Sequence, residues 1–324
     1  MTKAIRIYET GGPDVLKWED VDVGKPGAGE VRIRHTAVGL NYIEVYQRTG
    51  LYKITDFPAT IGSEAGGVIE EVGDGVTDFK VGDRVMYAMS IGAYSEQRLM
   101  TTDKLVAVPD AIDDNTAGGM MLQGMTAYYL LHKTYAVQPG DTILVYAAAG
   151  GVGLMMCQWA KLLGATVIGC VGSEEKSALV KSNGCDHTIM YRDETVSERV
   201  REITGGEGVP VVYDSIGKET FMDSLDCLRP EGLMASFGNA TGPVEPFPLG
   251  LLTGKGSLYV TRPTLATHTS TRERLDECAN ALKDVVASGE VKVAVNQTYA
   301  LADAAQAHID LEGRKTSGSS VLLP

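Results

Sequence analysis

A glycine-rich turn after an apolar segment carries the clearest chemical signal in the sequence. The run 142–147 is continuously apolar, and Gly150, Gly151 and Gly153 follow it with the spacing AxxGxxG, counted from Ala147. A buried strand that passes through glycines into a helix presents backbone N–H groups and the positive end of the helix dipole to a phosphate. Glycines also let the backbone approach a pyrophosphate closely. The segment therefore predicts a dinucleotide site, although its spacing departs from GxGxxG.

A second short segment indicates which dinucleotide this turn would bind. A site for NADH normally has Asp or Glu about twenty residues after the glycines, where the acid binds the ribose 2′-hydroxyl. The corresponding stretch, 170–173, contains no acid, whereas Ser173 and Lys176 could both reach a 2′-phosphate. Ser173 could instead cap the next helix, and Glu174 and Glu175 suit a helix start but would repel a phosphate if they turned inward. We therefore expect NADPH rather than NADH.

Neutral polar and aromatic side chains gather in one segment of the N-terminal part of the chain. The groups of interest are the amide of Asn41 and the phenols of Tyr42, Tyr46 and Tyr52. Together these groups could bind a flat carbonyl compound by stacking and hydrogen bonding. Tyr46 could instead be a half-buried helix residue with a solvated hydroxyl. The run 41–48 predicts a helix, with Asn41 as its N-cap and Gly50 just past its end.

The histidines and cysteines are too few and too scattered to predict a metal site. A catalytic zinc needs three protein ligands, usually Cys and His, with one open position. The first 140 residues contain no cysteine and only two histidines, His35 and His132, which we expect to be structural. The cysteines form no CxxC pair, and we expect each to be a small buried apolar residue: Cys157, Cys170, Cys185, Cys227 and Cys278.

The composition is that of an ordinary globular protein. The chain has 324 residues, 44% of them hydrophobic and 22% charged, which suits two domains and excludes wholesale disorder. Its net charge of −13 argues against a protein that tracks nucleic-acid phosphates. The uncharged stretch 142–160 is long enough to span a bilayer, but its central glycines favour a strand, a turn and a helix. Because the N-terminus has no long apolar run, we expect a cytoplasmic protein without a membrane segment.

The elements that must position these groups change in character along the chain. Up to about residue 110, short β-rich segments alternate with glycine and proline turns, which predicts irregular all-β packing. From about residue 126, strands and helices alternate five or six times, which predicts a parallel, doubly wound sheet. After Pro263 the pattern predicts helices at 272–287 and 302–312 and a terminal strand at 320–323.

With these motifs in place, the sequence resembles a known family. The run 140–161 matches the signature of the quinone oxidoreductase and ζ-crystallin branch of the medium-chain dehydrogenase/reductase superfamily. Further matches extend over nearly the whole chain, at 11–16, 39–44, 82–85, 212–215, 236–239 and 256–263. Within this zinc-free branch, the chain is most similar to the bacterial NADPH:quinone oxidoreductases.

The resemblance implies an α/β fold with two domains. A GroES-like, β-rich catalytic domain would comprise residues 1–124 and 263–324, and a Rossmann NADP-binding domain with a doubly wound parallel sheet would comprise residues 125–262. The Gly-His-Glu of the zinc-dependent relatives is replaced here by Gly62-Ser63-Glu64, so Glu64 is expected to be structural. Gln123 stands where close relatives can carry lysine.

The resemblance also implies the residues of the site. With the cluster described above, it makes Asn41, Tyr46 and Tyr52 the expected catalytic residues, of which Asn41 and Tyr46 would orient the carbonyl of the acceptor. The expected cofactor-binding residues are Tyr42, Tyr129, Gly150, Gly151, Val152, Gly153, Gly172, Ser173, Lys176, Tyr191, Ser215, Gly238, Asn239, Thr241, Pro263, Leu265 and Arg314.

The implied reaction is direct hydride transfer from NADPH to a bound quinone, with water or Tyr46 as the proton donor. The same fold also reduces conjugated C=C bonds, so an enone or enoyl-thioester reductase is an alternative. A second alternative is a crystallin-like structural or RNA-binding protein, which the intact cofactor motif and the acidic charge disfavour. The resemblance further implies a homodimer in which strand 257–260 pairs across the two-fold axis and covers an apolar sheet edge.

Overall fold

Two units make up the chain in the computed structural model, which describes residues 2–324. The N-terminal unit consists of Met1–Met125, Thr269–Ala287 and Val293–Pro324. The central unit consists of Thr126–His268 and Ser288–Lys292. Each unit has its own hydrophobic core.

The strands and helices have the following bounds. In chain order the strands are β1 (Thr2–Ile7), β2 (Lys17–Val21), β3 (Glu30–Leu40), β4 (Ala59–Thr60), β5 (Glu64–Val72), β6 (Arg84–Ala88), β7 (Gln97–Thr101), β8 (Val106–Ala107), β9 (Thr142–Val145), β10 (Thr166–Val171), β11 (His187–Met190), β12 (Val209–Asp214), β13 (Leu228–Ser236), β14 (Tyr259–Thr261), β15 (Val295–Ala300) and β16 (Ser319–Leu323). The α-helices are α1 (Tyr42–Thr49), α2 (Asp114–Gly119), α3 (Met121–Tyr129), α4 (Gly151–Leu162), α5 (Glu174–Lys181), α6 (Val196–Ile203), α7 (Phe221–Cys227), α8 (Gly250–Gly254), α9 (Leu265–His268), α10 (Arg272–Ala287) and α11 (Ala304–Glu312). Short 3₁₀ turns occupy Pro13–Val15, Thr102–Lys104 and Leu301–Asp303, and a π-helical turn occupies Leu130–Thr134.

Strands in two sheets dominate the N-terminal unit. One sheet has the order β2-β1-β4, and the other has the order β15-β16-β3-β5-β6-β8, with β7 paired to β3. The register between β3 and β5 shifts twice, which is the effect of bulges that bend a strand. Ile5, Ile33, Ile69 and Val85 from these strands lie in one buried core. These sheets confirm the predicted β-rich domain.

The central unit is built around a parallel sheet of six strands. The strand order is β11-β10-β9-β12-β13-β14, with all neighbours parallel. Numbered from β9, this is the order 3-2-1-4-5-6 of a Rossmann fold, whose order reverses between its first and fourth strands. In such sheets ligands bind at the carboxyl ends of the strands, beside that reversal. The predicted doubly wound domain is confirmed, and the reversal lies between β9 and β12.

The uncharged stretch 142–160 forms β9, a turn and most of α4, as predicted. Within residues 2–324, none of the helices combines the length and the apolar character that a membrane span requires. The sequence reading missed α2, which contains two consecutive glycines. A Cβ at Gly118 would lie 2.4 Å from the Ala37 Cβ, so close packing on β3 explains a glycine there. Tertiary contact therefore outweighs the poor helix propensity of this segment.

Candidate functional site

The glycine turn between β9 and α4 has the geometry of an anion site. Gly150 is the N-cap of α4, no side chain caps the first turn of the helix, and that turn contains no acidic residue. The N–H groups and the positive end of the dipole therefore meet no competing carboxylate. A Cβ at Gly153 would lie 2.4 Å from the Ala147 carbonyl oxygen, so only glycine allows α4 to pack this closely on the preceding turn. These features fit the pyrophosphate of a dinucleotide.

The carboxyl ends of β10 and β11 bring together the four residues that the resemblance places around the adenosine ribose and its 2′-phosphate. A Cβ at Gly172 would lie 2.7 Å from the Tyr191 hydroxyl oxygen, so the two residues are neighbours. Ser173 is the N-cap of α5, and its hydroxyl oxygen accepts a hydrogen bond from the Lys176 backbone N–H at 3.3 Å. Glu174 and Glu175 are exposed to solvent. Ser173 can therefore cap α5 and also contact a 2′-phosphate, because its hydroxyl can still donate its own hydrogen.

The ends of β12 and β13 meet around a buried aspartate. The Asp214 carboxylate is fully buried and accepts hydrogen bonds from two backbone N–H groups and two hydroxyls, those of Ile216, Gly217, Thr220 and Ser224. A Cβ at Gly238 would lie 2.2 Å from the Ser215 carbonyl oxygen, so only glycine fits at this contact. The Arg262 guanidinium donates to the carbonyl oxygens of Ser236 and Gly238, both at 2.9 Å. The loops that carry Ser215 and Gly238 are thus held rigidly beside each other.

Asn239, Thr241 and the segment after β14 adjoin these loops. The Asn239 amide, oriented to satisfy both partners, donates to the Gly238 carbonyl and accepts from Arg262. The Thr241 hydroxyl donates to the Ile216 carbonyl oxygen at 3.0 Å. Pro263 follows Arg262, and Leu265 at the start of α9 is buried. In the same unit the Tyr129 ring stacks on His268 with centroids 4.3 Å apart.

In the N-terminal unit, Asn41 lies at the junction of β3 and α1 and is held from several sides. Its backbone N–H donates to the Glu44 carboxylate at 2.7 Å, which caps the helix. Its side-chain nitrogen Nδ2 donates to Glu64 Oε1 at 2.7 Å, and its oxygen Oδ1 accepts from Gln123 Nε2 at 3.0 Å. Asn41 is therefore both the predicted N-cap and the centre of a buried polar network.

The three tyrosines of the predicted cluster lie side by side. The Tyr46 ring centroid is 6.0 Å from that of Tyr42 and 5.1 Å from that of Tyr52. The backbone N–H of Tyr52 donates to the Tyr46 carbonyl oxygen at 2.9 Å, which fixes the segment after α1. Tyr46 is buried, whereas Tyr52 is 37% exposed. The three rings therefore form one aromatic cluster on and just after α1.

Helix α1, which carries Tyr42 and Tyr46, is fixed by a buried arginine. Arg48 is 1% exposed, and its guanidinium contacts Glu312 at 2.9 Å, His308 Nδ1 at 3.1 Å and the Gly11 carbonyl oxygen at 3.1 Å. Burial lowers the pKa of His308 to about 3, so this imidazole is neutral and can accept from the guanidinium. The C-terminal segment thus fixes the position of helix α1.

Two buried carboxyl groups flank Asn41. Glu44 and Glu64 are both fully buried. Burial raises the pKa of Glu44 to about 8 and the pKa of Glu64 to about 7, since desolvation disfavours the charged form. For Glu64 the hydrogen bonds from Asn41 and from the Leu122 backbone counteract part of this rise in pKa. These groups change protonation near neutral pH.

Comparisons with known proteins agree with this geometry. The model of the alcohol dehydrogenase GroES-like domain matches residues 27–142, and the model of the zinc-binding dehydrogenase matches residues 151–283. The quinone oxidoreductase of Pseudomonas aeruginosa is 51% identical, and the alignment covers 100% of both chains. The chain belongs to the quinone oxidoreductase family.

Two further relatives bear on the chemistry of this quinone oxidoreductase family. The crystal structure of the Escherichia coli quinone oxidoreductase complexed with NADPH superimposes with a TM-score of 0.97 at 47% identity, over 99% of this chain and 100% of that one. A 2-haloacrylate reductase from a Burkholderia species is 49% identical, covering 100% of this chain and 99% of its own. A relative named for reducing quinones and one named for reducing 2-haloacrylate are thus about equally similar to this chain in sequence.

The description of the family model that matches residues 151–283 mentions zinc. Within residues 2–324, no group of three or more His, Cys, Asp or Glu side chains is arranged to hold a metal ion. Each cysteine is buried, as expected. His35 is buried between Ser95 and Tyr87, and burial lowers its pKa to about 4.

This member of the quinone oxidoreductase family divides its predicted site residues between the two units. Asn41, Tyr42, Tyr46, Tyr52 and Arg314 lie in the N-terminal unit, and the other predicted cofactor residues lie in the central unit. Arg314 is exposed and follows α11, with a φ of 58°. The sequence alone did not single out Asp214 or His268 as site residues, and the resemblance gave Glu64 only a structural role. A lone acid at the end of a strand and a lone histidine give no spacing signal, so neither could be singled out.

Proposed function

We propose that this protein reduces quinones to hydroquinones with NADPH and without a metal ion. The observation that carries the proposal is the glycine turn at the reversal of strand order, in a chain that matches an NADPH-bound quinone oxidoreductase over its full length. NADPH, when bound, supplies a hydride, and one proton completes the reduction of the quinone. The residues of the chain bind the cofactor and the quinone, orient the quinone and protonate it.

In this proposal the central unit binds the dinucleotide. The N–H groups at Gly151 and Val152, in the uncapped first turn of α4, bind the pyrophosphate. Ser173, Lys176 and Tyr191 bind the 2′-phosphate at the ends of β10 and β11. A further set of residues binds the remaining parts of the cofactor: Tyr129, Gly172, Ser215, Gly238, Asn239, Thr241, Pro263 and Leu265.

The N-terminal unit supplies the groups that handle the acceptor. Asn41 donates a hydrogen bond to a carbonyl oxygen of the quinone, and the rings of Tyr46 and Tyr52 bind its flat face. The proton comes from Tyr46 or from water. We assign Tyr42 and Arg314 to the cofactor, as in the family resemblance.

Reduction of a conjugated C=C bond is the second candidate, because the 2-haloacrylate reductase is 49% identical over the full chain. Both reactions deliver a hydride to an electron-poor carbon that is conjugated with a carbonyl group. The two reactions are therefore distinguished by which acceptor the protein reduces, because the cofactor is the same in both.

An acceptor panel separates the two candidates. NADPH oxidation would be measured with 1,4-benzoquinone, 2-chloroacrylate, an alkenal and crotonyl-CoA at equal concentrations. We expect the highest kcat/KM with benzoquinone. A higher kcat/KM with chloroacrylate, the alkenal or crotonyl-CoA would assign the protein to the C=C reductases instead.

We also propose a homodimer that pairs through β14. This strand is at the edge of the central sheet, and its Tyr259 is 62% exposed. Pairing with a second copy would cover the open edge. Size exclusion with light scattering tests this, and a monomer at micromolar concentration would contradict it. A cytoplasmic location stays a prediction from the sequence.

A further inference from the structure

Four buried side chains of the N-terminal unit form a hydrogen-bond chain that runs in one direction. The Ser319 hydroxyl donates to Gln123 Oε1 at 2.6 Å, Gln123 Nε2 donates to Asn41 Oδ1 at 3.0 Å, and Asn41 Nδ2 donates to Glu64 Oε1 at 2.7 Å. None of the four residues is more than 7% exposed. The side-chain amides of Gln123 and Asn41 could each rotate so that nitrogen and oxygen exchange places. A neighbouring group must therefore fix the direction of the hydrogen-bond chain.

Glu64 selects it. Its second oxygen, Oε2, accepts from the backbone N–H of Leu122 at 2.8 Å, and a backbone donor cannot exchange its role. An ionised carboxylate only accepts, so the Asn41 amide must turn its nitrogen toward Glu64. At the other end the Ser319 hydroxyl can donate or accept, and it therefore imposes no direction.

We propose that Glu64 is a positioning residue that holds the Asn41 amide with its nitrogen as a donor, so that the second hydrogen on Nδ2 serves the carbonyl oxygen of the acceptor. An amide nitrogen carries two hydrogens, and among residues 2–324 Glu64 accepts one of them. The inference rests on the proposed function, since it concerns how the acceptor is bound. It replaces the purely structural role that the sequence predicted for Glu64.

The substitution Glu64→Gln tests this with little change in shape. The Leu122 N–H would hold the new amide oxygen, so the new nitrogen would face Asn41. The Asn41 amide would then turn over, and Gln123 would follow, because the Ser319 hydroxyl can accept. All the hydrogen bonds of the chain can be remade, but the nitrogen and oxygen of Asn41 exchange places, and the amide oxygen no longer caps the Glu44 backbone N–H. We expect an unchanged NADPH Kd, a slightly lower thermal midpoint from the lost cap, and an at least tenfold lower kcat/KM for benzoquinone.

A double variant separates positioning from stability. In Glu64→Gln with Asn41→Asp, the new aspartate accepts from both neighbouring amides and remains a good N-cap. Its carboxylate has no hydrogen to donate. We expect a stable fold and a kcat/KM no higher than that of Glu64→Gln. Recovery of kcat/KM together with stability would overturn the proposal.

Amide resonances give a readout that does not depend on turnover. In protein labelled with ¹⁵N-asparagine, the Asn41 side-chain signal is assigned by its absence in Asn41→Asp. The Asn41 Nδ2 proton that is hydrogen-bonded to Glu64 should change its chemical shift as the Glu64 carboxyl titrates. This pH dependence should vanish in Glu64→Gln. Glu44, Tyr87 and Tyr94 are titratable groups of the same interior, and Glu44→Gln is the control that should leave the Glu64 titration in place.

The outcomes distinguish this inference from the proposed function. A wild-type chain that fails to reduce benzoquinone with NADPH refutes the proposed function and, with it, the role of Asn41 in the reaction. A wild-type chain that reduces benzoquinone but shows no titrating Asn41 proton refutes the inference alone. Unchanged kcat/KM in Glu64→Gln with a reversed amide also refutes it.

Discussion

Ser173 accepts a hydrogen bond from the backbone N–H of Lys176 at 3.3 Å. The hydroxyl that the sequence places near a 2′-phosphate therefore also caps helix α5. The cap fixes the first turn of α5 and with it the backbone from which the Lys176 side chain extends. In the proposed function, the positive charge that distinguishes NADPH from NADH is carried by a lysine on an anchored helix turn.

Replacing Lys176 by alanine should weaken NADPH much more than NADH. A charge-assisted hydrogen bond is worth about 1.5–3 kcal/mol, so the Kd for NADPH should rise about tenfold to a hundredfold. Isothermal titration with both cofactors measures this. Lys181→Ala is the control, because Lys181 is exposed at the far end of the same helix. Equal losses for NADPH and NADH would contradict the assignment.

Gly153→Ala should impair both stability and cofactor binding. The added Cβ would lie 2.4 Å from the Ala147 oxygen and 2.6 Å from the Ala148 oxygen, so α4 must shift away from the turn. Such overpacking costs about 1–3 kcal/mol. Gly254→Ala is the matched control, because its Cβ meets nothing within 4 Å. Urea unfolding and NADPH titration would measure both effects, and a Gly153→Ala protein that behaves like Gly254→Ala would argue against the packing constraint.

Tyr46→Phe tests the acceptor cluster. The ring contacts with Tyr42 and Tyr52 can persist while the hydroxyl is lost. We expect lower kcat for benzoquinone with an unchanged NADPH Kd. Tyr8→Phe, at an exposed tyrosine bonded to Glu19, should leave both constants as they are. Wild-type turnover in Tyr46→Phe would remove this hydroxyl from the mechanism.

The buried carboxyl of Glu44 should make stability fall as the pH rises. Its pKa is about 8 in the folded chain and near the ordinary 4.5 when unfolded, so between these values the folded state binds one more proton. Each pH unit in this window then lowers the free energy of unfolding by up to about 1.4 kcal/mol. Below the window the effect is constant, because both states are protonated.

Glu44→Gln isolates this effect, because glutamine keeps the acceptor for the Asn41 backbone N–H and cannot titrate. Urea unfolding at several values between pH 5 and pH 8 should give a shallower decline in the variant than in the wild type. Glu64 titrates in both proteins, so the difference between the two declines reports Glu44 together with its electrostatic interaction with Glu64. Parallel declines would contradict the buried, protonated state of Glu44.

Much of the central unit could be predicted from the sequence, because its signals are local. The strand at 166–171 has the predicted bounds, and so does the helix at 272–287 of the N-terminal unit. Asn41 and Gly50 begin and end α1 as expected, since capping depends on residue type and backbone angle within one turn. The AxxGxxG turn likewise identified the start of α4.

What the sequence missed depends on contacts between distant segments. In helix α2, Gly118 packs so closely on Ala37 that only glycine fits there. The hydrogen bond between Glu64 and Asn41 joins residues 23 positions apart, and that between Ser319 and Gln123 joins residues 196 positions apart. No periodicity or motif spacing encodes such pairs, so the polar network around Asn41 could be recognised only in the folded chain.

The central claim is that this chain passes a hydride from NADPH to a quinone without a metal ion. The most direct test is kcat/KM for 1,4-benzoquinone with NADPH and with NADH, measured before and after dialysis against a strong chelator. We predict at least a tenfold preference for NADPH and no change after dialysis. Equal rates with the two cofactors, or turnover that disappears with the chelator and returns with zinc, would contradict the account.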